Sequence, residues 1–219
     1  METKNDIIFS ISTKCENEKH CQIPINCVES IRKFYPESDI YIVDSNSPIK
    51  SHISILEKMG CQISELNNLN YEAGAMWDTF TKIDKKKYIF LQDSTLLLGN
   101  IDEFIAKDMA VFGNIISNWD GCGQHHINWI KENILKSDYR LEDLKNGFKL
   151  VQYNCFIVSK EILIKFKNKN LDKIQPINKV GSCGMERILG IALTLEGYPI
   201  HNEIKVPNNL FLKKLTYRQ

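Results

Sequence analysis

Apolar positions in this chain fall into short unbroken runs that alternate with longer stretches of helical spacing. Ile7–Ser12 reads as a strand, and after a polar loop Ile23–Tyr35 carries apolar residues three and four apart until Tyr35-Pro36 ends the pattern. Asp39–Val43 is the next strand, closing on the loop composition Asp44-Ser45-Asn46-Ser47-Pro48. Ile49–Met59 reads as a helix stopped by Gly60, Cys61–Leu66 as a third strand, Tyr71–Ile83 as a helix, and the run from Tyr88 as a fourth strand. Such alternation predicts an α/β fold, a Rossmann-like, mostly parallel central sheet with helices on both faces. The second half is less regular. Ala110–Ile116 and Val151–Val158 read as strands, His126–Leu135 as a helix after the loop Asp120-Gly121-Cys122-Gly123, and Lys160–Phe166 as another helix. A Gly-rich turn, Gly181-Ser182-Cys183-Gly184, opens a helix over Met185–Leu195; Tyr198–Ile204 is a last strand, and Pro207–Gln219 a mobile segment or lid.

One stretch departs from plain core patterning. Tyr88–Leu91 is an apolar run of the kind covered on both faces of a sheet, and it stops on Gln92-Asp93-Ser94 before Thr95–Leu98 turns apolar again. Open α/β sheets bind ligands beyond the carboxyl ends of their strands, which is where Asp93 falls. A plain turn between two strands explains Asp93 and Ser94 equally well, since Asp and Ser bond their own backbone there.

Composition narrows the function classes. With 219 residues, 43% hydrophobic and 25% charged, the chain is long enough for one domain with a substantial core. A net charge of +1, with Lys85-Lys86-Lys87 as the one basic run, gives no basis for a nucleic-acid partner. No segment is long and apolar enough to be a transmembrane segment, and METKNDIIFS lacks the basic start and apolar core of a secretory signal, so a cytoplasmic location is expected. The seven cysteines, at 15, 21, 27, 61, 122, 155 and 183, include no CxxC pair and read as reduced thiols. Cys15, Cys21 and Cys27, with His20 alongside, leave a metal site open, although their intervals match no familiar ligand spacing.

Four segments together resemble the GT-A glycosyltransferases: IIFSIST followed by a helix and YIVDSNSP, then NYEAGAMWDTF, YIFLQDS, and GSCGMERILGIALTLEGYPIHNE. The resemblance implies a single domain over residues 1–219, with a nucleotide-sugar-binding half (1–100), an acceptor-binding half (101–206) and a tail (207–219). It implies transfer of a sugar from a nucleotide-sugar donor, with UDP favoured, to a glycan or other hydroxyl acceptor, with inversion by direct displacement. Asp44 would contact the nucleotide, as carboxylates suit ribose hydroxyls and a uracil N–H. Ser12, Thr13, Asn46, Glu72, Gly74, Gln92, Asp93 and Ser94 would complete the donor site.

YIFLQDS stands in the place of the family's acidic D-x-D or E-D-D motif, which holds Mn²⁺ or Mg²⁺ on the donor phosphates. Only Asp93 of its acids remains, so two readings stay open: a metal held by Asp93 and His201, or a donor contact by Asp93 without metal. Glu186 matches the base that deprotonates the acceptor hydroxyl, with Asp120 as its rival and a plain helix-start acid as the structural alternative. Trp77, Trp119 and Trp129 suit either sugar stacking or the core, and His125-His126 have no third ligand at helical spacing. Two other classes remain: a non-catalytic GT-A-like domain that binds a nucleotide or glycan, and a sugar-phosphate nucleotidyltransferase. The nucleotidyltransferase would want a Gly-rich phosphate loop where Ser10-Ile11-Ser12-Thr13-Lys14 stands.

Overall fold

In a computed structural model, the structure describes residues 6–67, 70–112, 119, 122–145, 147–198 and 212–214. Six strands form one sheet in the order β3-β2-β1-β4-β7-β6. They are β1 (Ile7–Thr13), β2 (Asp39–Ser45), β3 (Gln62–Leu66), β4 (Lys87–Gln92), β6 (Met109–Val111) and β7 (Phe156–Ser159), with β5 (Thr95–Leu97) outside the sheet. β3, β2, β1 and β4 are parallel, β7 runs antiparallel to β4, and β6 antiparallel to β7.

Period-two alternation sends successive strand residues to opposite faces, and each face has its own helices. Ile8, Tyr41, Val43, Tyr88, Phe90, Phe156 and Val158 face a core shared with α3 (Tyr71–Lys82), α5 (Gln124–Ile134), α6 (Lys160–Asn168) and α7 (Lys179–Leu195). Ile7, Phe9, Ile11, Ile40, Ile42, Ile89, Leu91 and Ile157 face the other core, with α1 (Glu18–Phe34), α2 (Ser51–Lys58) and the short α4 (Asp102–Ile105). Burial of these side chains, at about 1.5–3 kcal/mol each, supplies most of the driving force.

The first-half elements fall where the pattern puts them, with one extension. α1 begins five residues before Ile23, capped by Asn17, whose side chain accepts from the His20 N–H, and Pro24 lies inside it. The second half differs more. The strand expected from Val151 starts only at Phe156, because Gln152–Asn154 forms a 3₁₀ turn in which Tyr153 and Asn154 take positive φ (59° and 50°). The expected Gly-rich turn is helical: α7 starts at Lys179, with the Asn178 side chain accepting from the Gly181 N–H. Its glycines serve close packing, since a Cβ on Gly184 would lie 2.4 Å from the Trp129 ring and one on Gly190 would lie 1.9 Å from the Lys149 carbonyl oxygen. In the tail expected to be a mobile lid, Leu212–Lys214 is strand β8, paired antiparallel with β5. Of the strands expected over Ala110–Ile116 and Tyr198–Ile204, residues 113–116 and 199–204 lie outside the described residues.

Candidate active site at the carboxyl ends of the central strands

Strand order reverses between β1 and β4. The chain runs outward from β1 through β2 to β3, then crosses back to place β4 on the other side of β1. A crevice opens at such a switch point, beyond the carboxyl ends of the two strands. Thr13 ends β1 and Asp93 follows β4, and the two meet there: Thr13 Oγ1 donates to Asp93 Oδ2 at 2.7 Å, and the Asp93 N–H donates to the Ser12 carbonyl at 3.1 Å. Asp93 and Ser94 form the turn between β4 and β5, so the turn reading and the strand-end reading both describe them. Both are buried.

The first turns of α3 and α7 meet beside the end of β4 on one face of the sheet. Glu72 Oε1 accepts from Gln92 Nε2 at 2.6 Å and Glu72 Oε2 accepts from Ser182 Oγ at 3.1 Å, joining α3, β4 and α7. Glu186 lies about two turns into α7, too far from its start for the first-turn dipole to be its reason for being there. Its carboxylate accepts from the Tyr153 N–H at 3.0 Å, and its backbone carbonyl accepts from the Val151 N–H at 2.8 Å. Gly190 makes this docking feasible, because only a residue without Cβ lets the Lys149 carbonyl lie so close to the helix. Burial pushes the Glu186 carboxyl up to about 7, and neighbouring Glu72 adds to the rise against the Tyr153 N–H, Arg187 and Lys179. A carboxylate pushed up toward neutrality that, among the described residues, bonds one backbone N–H is suited to take a proton.

Asp44 is treated in the opposite way. It is fully buried at the end of β2, where Oδ1 meets His52 Nε2 at 3.3 Å and the Ser47 hydroxyl, while Oδ2 accepts from the Ser47 N–H at 3.1 Å and from Lys50. Burial opposes the charge, but His52, Lys50 and Ser47 outweigh it and hold the carboxyl below the usual carboxylate range. Its oxygens are therefore engaged by the chain itself, and a nucleotide reaching Asp44 has to come in past Lys50, whose side chain is 40% exposed.

The remaining expected donor residues separate. Asn46 is exposed, with positive φ (56°), and its amide donates to Asn67 at 3.4 Å. Gly74 lies about 200° around α3 from Glu72. It lines a groove of about 400 Å³ with Leu66, Asn70, Asp78, Lys82 and Gln175, which does not include Asp93 or Glu186. Trp129 packs over Gly181 and Gly184, and Trp119 meets Phe148 edge-on at 5.2 Å, so both have core partners. The His125 and His126 rings lie 4.1 Å apart at the start of α5. Asp120 and His201 lie outside the described residues.

Mn²⁺ or Mg²⁺ at Asp93 would need a set of oxygen ligands. Among the described residues no group of three His, Cys, Asp or Glu side chains at metal-ligand spacing includes Asp93, and its Oδ2 is occupied by Thr13. His201, the ligand expected beside Asp93, lies outside the described residues. Sequence reasoning did not mark Ser182, Tyr153, Lys50 or His52. Only Gln152-Tyr153-Asn154, a polar break in an otherwise apolar run, gave a usable signal.

No protein-family model matches this chain, and neither does any curated protein. Among solved structures it is similar to S. aureus TarS 1–349, with a TM-score of 0.53 at 12% identity over 95% of this chain and 60% of that one. The TarS 1–349 complex with UDP gives a TM-score of 0.53 at 11% identity over the same shares. A further TarS structure gives 0.53 at 11% identity, with only 36% of that chain covered. This chain thus spans less than two thirds of the TarS chains it matches. What the likeness shows is the fold, and it is the GT-A glycosyltransferase fold.

Proposed function

We propose that this chain is a glycosyltransferase that moves a sugar from a nucleotide-sugar donor to a hydroxyl acceptor, with Glu186 as the general base. The observation that carries this reading is the place of Glu186, whose carboxyl burial pushes up to about 7, beside the switch point of a GT-A fold. The donor sugar and ribose lie against Thr13 and Asp93, without a metal held by the described residues. The acceptor oxygen gives its proton to the Glu186 carboxylate as it attacks the anomeric carbon. The bond from that carbon to the diphosphate oxygen breaks, and the nucleoside diphosphate leaves with the electron pair, so the configuration inverts. Glu72, fixed by Gln92 and Ser182, keeps the base's proton affinity high through its negative charge. Asp120 is the alternative base. UDP-sugars are the donors to try first, because TarS of the same fold has been crystallised with UDP.

The test is calorimetric titration with UDP, GDP and their sugars, together with an assay for release of the nucleoside diphosphate. Binding and turnover of one donor, with affinity unchanged by added Mn²⁺ or Mg²⁺, is the expected result. Binding that requires either cation would restore a metal-dependent donor site at Asp93. The single acid at the end of β4 favours one second reading, a non-catalytic nucleotide- or glycan-binding domain, for which a donor would bind without any turnover.

A further inference from the structure

Cys15, Cys21 and His52 lie far apart in the sequence and converge at one corner of the fold. Cys15 sits in the loop after β1, Cys21 in the first turn of α1, and His52 in the first turn of α2. Their relative exposures are 0%, 5% and 0%. The two sulfurs and a ring nitrogen of His52 all lie within 4.8 Å of one another, and among the described residues no other group of three His, Cys, Asp or Glu side chains converges this way. Cys27, six residues after Cys21, packs instead into the core beneath α1, and the His20 ring turns to the Asn17 amide at 3.2 Å.

The histidine carries a second, independent signal. Its Nε2 is paired with Asp44 Oδ1 at 3.3 Å, whereas its Nδ1 is buried with no hydrogen-bond partner among the described residues. A buried ring nitrogen left unpaired costs about 1–3 kcal/mol unless something accepts its lone pair. A carboxylate on one ring nitrogen fixes the tautomer with the lone pair on the other, which is the usual support of a metal-binding histidine. Tetrahedral zinc bonds sulfur at about 2.3 Å and nitrogen at about 2.0–2.1 Å, so its ligand atoms stand within about 4 Å of one another, and the present spacing closes on an ion with shifts of about an ångström or less.

We propose that Cys15, Cys21 and His52 form a binding site for a thiophilic d¹⁰ cation, with zinc as the occupant, oriented by Asp44 behind the histidine. Binding replaces the two thiol protons, which pass to solvent, with two sulfur–metal bonds, and the Nδ1 lone pair supplies the third. Two thiolates and an imidazole select such an ion over Mg²⁺ or Mn²⁺, so this site is chemically distinct from the one expected at Asp93. The consequence is local rigidity. Cys15 is two residues beyond Thr13, and its sulfur is 3.8 Å from the hydroxyl that holds Asp93, so the ion ties the ends of β1 and β2 to the starts of α1 and α2.

The experiment uses the whole chain, reduced and stripped of metal, titrated with Zn²⁺ against a chromophoric chelator and with Co²⁺ as a spectroscopic stand-in. One equivalent should bind, with a thiolate-to-cobalt charge-transfer band. Cys21→Ser and His52→Gln should each weaken uptake on the order of 100-fold, Asp44→Asn by about 10–100-fold, and Cys122→Ser not at all. If the ligand variants fail to fold, the unmodified chain still decides the matter, because Zn²⁺ should protect Cys15 and Cys21, and no other cysteine, from alkylation. Failure to take up an equivalent would overturn the proposal, as would a cobalt spectrum without the thiolate band or uptake that survives Cys21→Ser. Isolation of the chain with Cys15 and Cys21 joined by a disulfide would overturn it as well. Zinc uptake is read without any donor, so its failure leaves the glycosyltransferase reading standing, and the reverse holds too.

Discussion

Two corners at the same end of the sheet each bury a carboxylate, and they handle it in opposite ways. At the β2–α2 corner, Asp44 meets a lysine, a histidine and two donors from Ser47, and its proton affinity is driven down. At the α7 corner, Glu186 has one backbone N–H for support and a second acid, Glu72, nearby, and its proton affinity is driven up to about 7. Asp44 is built to stay charged and hold a turn together. Glu186 is placed where its charge can change near neutral pH, and that difference comes from the partners each carboxylate meets rather than from burial alone.

The contrast breaks most sharply under substitution. Glu186→Gln keeps the shape and the Tyr153 bond but cannot take a proton, so transfer should fall by about 10²–10⁴-fold while donor affinity holds. An equal loss of binding and transfer would make Glu186 structural. Asp44→Asn should leave chemistry to the other corner but destabilise the fold by about 3 kcal/mol, because Lys50 and His52 lose the charge they were built around. Urea unfolding measures this, and an unchanged midpoint would show that the network contributes nothing.

A pH series sharpens the same comparison. Glu186 in the folded chain holds its proton up to about 7, against 4.5 when unexposed to these neighbours, so the folded state binds more protons between those values. Its contribution to stability therefore falls as pH rises through that window, and Glu186→Gln should gain about 2–3 kcal/mol over the unmodified chain at pH 8 and little at pH 4. Asp44, with its proton affinity lowered, contributes above the ordinary carboxylate range and loses that contribution in acid. Transfer should rise with pH through about 7 as the base ionises. The smallest effect is at Thr13→Val, which removes the donor to Asp93 and should weaken nucleotide-sugar binding by about tenfold or less.

The residues show how far a sequence can be read. Strands β1 to β4 and helices α2 and α3 were legible because period-two and helical patterns there match their burial, and Asp93 was legible because a polar triplet ends an apolar strand. The glycines of α7 misled, since Gly181 and Gly184 look like a turn but make room for Trp129, a partner some fifty residues away whose position no local pattern records. Tyr153 and Asn154 hid a left-handed turn inside an apolar run. Closeness along the chain grouped Cys15 and Cys21 with Cys27 and His20, whereas the third group beside them is His52, brought there by the β1-α1-β2-α2 path of the chain. Likewise Asp44 was read as a group awaiting a nucleotide, and only the fold shows the partners already gathered on it.

The central claim is that Glu186 is the base of a nucleotide-sugar transferase. Its most direct test is release of UDP from a panel of UDP-sugars, measured side by side for the unmodified chain and Glu186→Gln at donor concentrations that saturate both. The account predicts UDP release by the unmodified chain that rises with pH through about 7, and a loss of at least a hundredfold in the variant at undiminished donor affinity. Equal rates for the two chains would contradict it.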